Sequence, residues 1–229
     1  MASTSPITTN RRTATLLALL WGGVLAALAA RPFAAEILAS EGWPPSPPST
    51  EPAAIEQRAE RFEHALTVSP SAPLAEKAAL ARLRLAESYG RQSDWGRRQA
   101  ERAEQLAQTS LSAAPGNPFL WLWLSQLDAQ RDGISPASAR AWLASVRSGP
   151  FDPDLAEDRL WLGLMQEPAF DEAEREALTE QIHEVAAWQM WTLVSSALRA
   201  DSTAIVRRTL AGEPALLADF NARVARYPR

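Results

Sequence analysis

Hydrophobic side chains recur every three or four residues along most of this chain. Ile55, Ala59, Phe62 and Leu66 follow this spacing, which lines one face of a helix. Strand-like alternation never extends beyond a few residues. Three further stripes have the same period: Leu74, Ala78, Ala81, Leu85; then Ala100, Ala103, Ala107, Leu111, Ala114; and finally Leu217, Phe220, Val224.

Helix-breaking and helix-capping residues separate these stripes. The chain breaks at Pro115–Pro118 and at Gly149-Pro150, and Ser135 precedes a proline at a first helical position. Asp171 is expected to cap a long helix that reaches about Leu198. We count about nine helices after residue 52, joined by turns short enough to make neighbours antiparallel. The predicted fold class is therefore all-α, an N-terminal transmembrane helix followed by an antiparallel helical-hairpin domain.

The N-terminal segment is the most apolar part of the chain. Residues 13–30 carry no charge and would span roughly 27 Å as a helix, close to the hydrocarbon thickness of a bilayer. Arg11 and Arg12 precede this run, and the first acid after it is Glu36, so the positive-inside rule leaves the N-terminus in the cytoplasm. The side chains expected to face lipid are Leu16, Leu17, Leu19, Leu20, Val24, Leu25 and Leu28.

A cleaved signal peptide is the alternative interpretation of this segment. Ala27-Leu28-Ala29 would suit a small-x-small cleavage site, although the apolar run is longer than a usual signal core. Both interpretations export the remainder of the chain. We predict a single-pass protein of a bacterial inner membrane with a periplasmic domain.

A proline-rich stretch follows the apolar segment. Residues 43–52 contain five prolines, which favour an extended, semi-rigid spacer; a polyproline ligand is the functional alternative. The predicted organisation is a cytoplasmic tail (1–12), an anchor helix (13–38), a linker (39–52) and a helical-repeat domain (53–229).

Composition and charge narrow the set of partners. Ala, Leu, Arg, Glu and Gln dominate after residue 53, as expected for helices, and the absence of Cys excludes disulfides and thiolate metal sites. The net charge is −4; the first 31 residues contribute three arginines and no acid, which leaves −7 for the remainder. A domain this acidic is repelled by nucleic acid, so we expect none as a partner.

The segment between Pro115 and Pro150 resembles a tetratricopeptide unit. Trp121 and Leu124 stand at the first-helix aromatic and leucine positions of that family, and Ala137 and Ala144 at small positions of its second helix. The resemblance implies stacked helical hairpins that bind peptide segments of other proteins. Three residues depart from the pattern: Ser125, Asp128 and Ala141.

The layout of the whole chain resembles a second group of proteins. A short tail, one anchor, an alanine-rich degenerate repeat and a segment such as Gly149–Leu164 resemble single-pass accessory proteins of bacterial exopolysaccharide clusters. That resemblance implies a role in organising synthesis or export machinery rather than in catalysis.

Few residues suit catalysis or metal binding. His64 and His183 have acids one helical turn away, as surface ion pairs commonly do. The acid-rich runs 152–158 and 171–176 lie at predicted helix starts, where carboxylates cap free amides. No nucleophile elbow or phosphate-binding loop is present. We therefore predict no enzymatic activity, catalytic residue, metal site or cofactor.

Tryptophan is unusually frequent, with nine residues. Most are expected in the core, because a buried indole removes about 150–250 Å² from water. Trp188 and Trp191, which the sequence places one helical turn apart, are the candidates for an exposed pair and a ligand or partner surface. The predicted function is a non-catalytic, membrane-anchored scaffold for protein partners of an envelope assembly in polysaccharide synthesis or export. The alternative is a glycan-binding module that uses exposed tryptophans.

Overall fold

The computed structural model describes residues 11–40, 50–90 and 93–227, with side chains from residue 18 onward. Within these ranges the chain forms eleven α-helices and no strand, so the all-α prediction is confirmed. The chain divides into two compact units, Met1–Ser110 and Leu111–Arg229. The proline-rich part of the predicted linker, residues 41–49, lies outside the described residues.

Helix α1 (Arg11–Ala39) contains the predicted anchor. Its segment Ala18–Ala39 is long and apolar enough to cross a membrane, and almost none of it is covered by the rest of the chain. The predicted lipid-facing residues that the structure describes are all exposed: Leu19, Leu20, Val24, Leu25 and Leu28. The side chains of Arg11, Arg12, Leu16 and Leu17 lie outside the described part. Such a helix is consistent with a membrane anchor or with a signal sequence.

The first unit continues with α2 (Pro52–Val68), α3 (Ala72–Ser88) and α4 (Asp94–Ala113). The C-terminal end of α1 packs on α2, where Ala35 and Ala39 are buried and Arg61 donates a hydrogen bond to the Ser40 carbonyl. The buried faces of α2 and α3 follow the predicted stripes closely; in α2 Ala65 is buried, while Leu66 is only partly covered.

Glu63 joins three helices of this unit. Its carboxylate accepts hydrogen bonds from Arg82 of α3 at 2.6 Å and from Arg102 of α4 at 2.6 Å. Burial on its own would raise the pKa of Glu63, but the hydrogen bonds and positive charges of Arg102 and Arg82 outweigh it and hold the pKa below its ordinary value. The folded unit therefore favours the ionised carboxylate.

The second unit contains seven helices. They are α5 (Pro118–Asp132), α6 (Pro136–Ser148), α7 (Ala156–Gln166), α8 (Glu172–Trp188), α9 (Met190–Arg199), α10 (Thr203–Thr209) and α11 (Pro214–Arg226). Short 3₁₀ turns precede α7, follow α7 and follow α10. Helices α5 and α6 form the hairpin that the sequence predicts, and the Ser125 hydroxyl of α5 donates to the Ser138 carbonyl of α6 at 2.7 Å.

Local capping explains where these helices start. Asn117 accepts a hydrogen bond from the amide of Leu120, and Ser135 forms a reciprocal capping box with Ser138. Asp171 and Glu174 form the same box at the start of α8. The acid run 171–176 therefore begins with a helix cap, as its position in the sequence predicts.

One expectation about the helices of this unit is wrong, and it changes the helix count by one. The long helix predicted after Asp171 stops at Trp188, because Gln189 leaves the helical region (φ −145°, ψ 63°), and α9 begins at Met190. The turn allows Met190, Leu193 and Val194 to enter the core. As a result ten α-helices, rather than about nine, follow residue 52 in the described chain.

Trp142 lies at the centre of the second unit's core. It is fully buried, its ring lies 4.8 Å from that of Phe170, and its indole nitrogen donates to the Arg159 carbonyl at 2.9 Å. Gly163 of α7 faces the same indole so closely that any larger residue would collide with it. Trp142 thereby links α6 to α7 and to the segment just before α8.

Candidate functional site

An open groove of about 700 Å³ lies on the second unit between α5, α6 and the start of α8. Arg140, Leu143, Ala144 and Arg147 follow helical spacing and place one face of α6 along it. Trp121 of α5 lines the groove as well, and its indole nitrogen is bonded to the Pro115 carbonyl at 2.8 Å. We refer to this surface as the basic-walled groove.

Of the charged side chains along this groove, the acids have hydrogen-bond partners and the arginines have none in the described part of the chain. Arg140 and Arg147 are exposed, and within the described ranges neither has an ion-pair or hydrogen-bond partner. On the opposite wall, Asp171 and Glu174 accept hydrogen bonds from each other's amides at the start of α8. These carboxylates therefore face the positive end of the helix dipole, which offsets part of their charge. The groove combines an apolar floor with two available guanidinium groups.

Trp188 and Trp191 are half exposed, at 50% and 49%. They do not lie one turn apart on a single helix, because the break at Gln189 places Trp188 at the end of α8 and Trp191 at the start of α9. The Arg223 guanidinium lies 5.1 Å from the Trp191 ring centre and also bonds to Asp219 at 2.8 Å. One face of Trp191 is thus covered by a cation.

The remaining tryptophans beyond the linker are mostly structural. Trp123 and Trp142 are buried, and Trp121 is partly covered. Trp95 stacks on Tyr89 with ring centres 5.4 Å apart, and Trp161 lies under the Arg199 guanidinium at 3.9 Å. Trp95, Trp121, Trp142 and Trp161 each have a ring, cation or hydrogen-bond partner within their own unit.

Histidines and acids form no recognisable catalytic arrangement in the described ranges. His183 Nδ1 lies 2.5 Å from a carboxylate oxygen of Glu213, which precedes α11, rather than beside Glu180 of its own helix. Within the same ranges no group of three or more His, Asp or Glu side chains is placed to hold a metal ion. His64 lies on α2 of the other unit.

The loop between α6 and α7 has a feature that the sequence analysis missed. Phe151 is 78% exposed, while Arg159 of α7 is fully buried behind the loop. Burial lowers the pKa of Arg159 from its ordinary value, and the charges of Asp152 and Glu184 oppose that shift. Burial likewise raises the pKa of Glu184, against the opposing influence of Arg159 and Gln181. The sequence signal is the pair of proline dipeptides around Phe151, which marks a helix boundary and belongs to the segment Gly149–Leu164 that carries the second resemblance.

The basic-walled groove and the exposed aromatic side chains are therefore the surfaces of the second unit best suited to binding. The groove and the exposed aromatic side chains lie on helices and loops that pack against the core of this unit. No protein-family model, no curated protein and no solved structure matches this chain.

Proposed function

We propose that this chain is a non-catalytic, membrane-anchored helical scaffold whose basic-walled groove binds a protein partner. The observation that carries the proposal is the groove itself, with Leu143 and Ala144 on its floor and two unengaged arginines beside them. An apolar strip next to guanidinium groups suits an amphipathic segment with acidic side chains. Stacked helical hairpins, which the tetratricopeptide resemblance implies, commonly use such grooves.

The proposed location is a bacterial inner membrane, with the helical units in the periplasm. The exposed apolar surface of α1 supports an anchor, because a face of this kind is unfavourable in water. Arg11 and Arg12 before the span support a cytoplasmic N-terminus. A role in polysaccharide synthesis or export is supported by the layout that resembles accessory proteins of exopolysaccharide clusters.

Topology can be tested directly because the chain contains no cysteine. Gln57 is exposed on α2, so a Gln57→Cys variant offers a single reactive thiol. We expect a membrane-impermeant maleimide to label it in intact spheroplasts. Labelling only after lysis would place the domain in the cytoplasm and contradict the proposed location. The intact mass of the mature protein distinguishes an anchor from a cleaved signal peptide.

Groove binding can be tested by photocrosslinking of the full chain in its membrane. A benzophenone amino acid in place of Ala144 should form an adduct with a protein partner, and Arg140→Glu with Arg147→Glu should abolish it. The matched control carries the same probe at exposed Ala204 of α10. An adduct that survives the charge reversal, or the absence of any adduct, would contradict the proposal.

Glycan binding is the second candidate, and the half exposure of Trp188 and Trp191 favours it. Indole faces stack on sugar rings. Because Arg223 occupies one face of Trp191, only the other face of that ring could take a sugar. Titration with oligosaccharides should then quench tryptophan fluorescence in the native chain but not in a Trp188→Ala, Trp191→Ala variant. An equal response in both proteins would exclude these two rings.

A further inference from the structure

The exposed Phe151 follows two residues whose carbonyls are held by side chains of neighbouring helices. The Gly149 carbonyl accepts a hydrogen bond from Arg159 Nη1 at 2.6 Å, and the Pro150 carbonyl accepts one from Gln181 Nε2 at 3.1 Å. Pro150 and Pro153 restrict the backbone around Phe151. An aromatic ring on so constrained a loop loses little conformational entropy when it binds.

Burying the Arg159 guanidinium behind this loop costs free energy. Besides Gly149, the buried Arg159 guanidinium donates to the Ser145 hydroxyl at 3.0 Å and to the Ser145 carbonyl at 2.7 Å. These acceptors are uncharged, so they replace the hydration of a cation only in part. A buried arginine used to fix a loop, with a phenylalanine exposed at its tip, is an arrangement that suits a binding anchor.

Phe151 and the basic-walled groove have complementary chemistry. The ring is followed by Asp152, which is half-buried and accepts a hydrogen bond from the Asp154 amide, and by Asp154, which is exposed. The groove offers an apolar floor beside Arg140 and Arg147, which have no partner in the described part of the chain. Its two acids, Asp171 and Glu174, are engaged in the capping box of α8. Its volume of about 700 Å³ is ample for one aromatic ring and the adjoining proline.

We propose that Phe151 of one copy of this chain inserts into the basic-walled groove of a second copy, with the exposed Asp154 facing Arg140 and Arg147. This inference rests on the proposed function, because it uses the same groove and names a second copy as its occupant. One ring buries far less area than a stable dimer needs, so the contact is weak. Such a weak contact forms where copies of the chain are concentrated in one membrane.

The test uses full-length chains in phosphatidylcholine vesicles, labelled with donor or acceptor dye through Ala204→Cys on exposed α10. Energy transfer between native copies should exceed that of a doubly defective variant carrying Phe151→Ser, Arg140→Glu and Arg147→Glu. We expect Phe151→Ser alone, or the two arginine reversals alone, to weaken association about tenfold or more. Because the changed side chains are exposed, the folded helix content should be unchanged by circular dichroism.

Mixing the two defective proteins gives the decisive measurement. A Phe151→Ser chain retains its groove and an arginine-reversed chain retains its phenylalanine, so the mixture should regain energy transfer that neither shows alone. The matched aromatic control, Trp188→Ser, should associate like the native chain. Native association by Phe151→Ser, or failure of the mixture to recover, would overturn the inference. If copies do not associate while the Ala144 probe still captures another protein, the inference fails and the proposed function stands.

Discussion

Arg159 Nη1 lies 2.6 Å from the Gly149 carbonyl oxygen and fixes the end of α6 to the start of α7. The same guanidinium bonds to both the hydroxyl and the carbonyl of Ser145. A single side chain therefore links two helices and the loop between them, and it also orients the backbone that presents Phe151.

Replacing Arg159 should destabilise the second unit strongly. Arg159→Ala would remove the side-chain donor to the Gly149 carbonyl and leave the Ser145 carbonyl with only the Ser148 hydroxyl, and we expect a loss of about 3 kcal/mol in the free energy of unfolding. Arg159→Lys retains the charge but cannot reproduce three directed bonds, so it should also destabilise the unit. Denaturant unfolding followed by circular dichroism measures both.

The exposed Arg147 provides a matched control on α6. Arg147→Ala should change the free energy of unfolding by less than about 0.5 kcal/mol, because its guanidinium has no partner in the described chain. Similar losses for the two alanine variants would mean that Arg159 is not a structural brace.

Gly163→Ala tests the contact between α7 and Trp142. In an isolated helix this change is stabilising by about 1 kcal/mol. Here the new Cβ would lie 2.8 Å from Cζ2 and 2.9 Å from Cε2 of the buried indole, so the ring or the helix must move. We expect a net destabilisation of about 2 kcal/mol, measured by thermal or denaturant unfolding.

Gly212→Ala is the control for this substitution. Nothing lies within 4 Å of a Cβ built at that position. Its effect should be close to zero or slightly stabilising, since it reduces the freedom of the unfolded chain. A stabilised Gly163→Ala variant would contradict the packing described around Trp142.

Local signals in the sequence predicted the helix starts well and the tertiary arrangement poorly. Ser135 and Asp171 cap their helices as expected, since capping depends on residues within one turn. The break at Gln189 has no proline or glycine to mark it; burial of Leu193 and Val194 in the core determines it. Arg159 resembled any polar residue of an amphipathic helix, because its burial depends on neighbours distant in the sequence.

The surfaces show the same division between local and tertiary information. The sequence predicted that Trp188 and Trp191 would be candidates for exposure, and both are half exposed. It did not indicate the groove, whose walls come from three helices, nor the separation of the two indoles onto different helices. Membership of one helix face is readable from spacing, whereas the packing of one face against another is not.

The two exposed indoles should be largely dispensable for folding. Because each is already half in water, Trp188→Ala with Trp191→Ala should cost about 2 kcal/mol together. Trp142→Ala removes a fully buried ring and should cost about 4 kcal/mol by itself. Thermal unfolding of the three proteins compares these losses, and a double variant that fails to fold would assign both indoles to the core.

Glu63 should make the first unit sensitive to acid. Its pKa is held below the unfolded value, so the ionised carboxylate stabilises the folded state. That stability is fully present above the unfolded pKa and is lost as pH falls through the folded pKa.

Urea unfolding should therefore give different free energies of unfolding for the native chain and for Glu63→Gln at pH 7. The difference should shrink as the pH approaches 3. Glu60→Gln, at an exposed position of the same helix, should show no such convergence. If the difference in unfolding free energy between the native chain and Glu63→Gln stays constant from pH 7 to pH 3, the bonds from Arg82 and Arg102 do not favour the charged form.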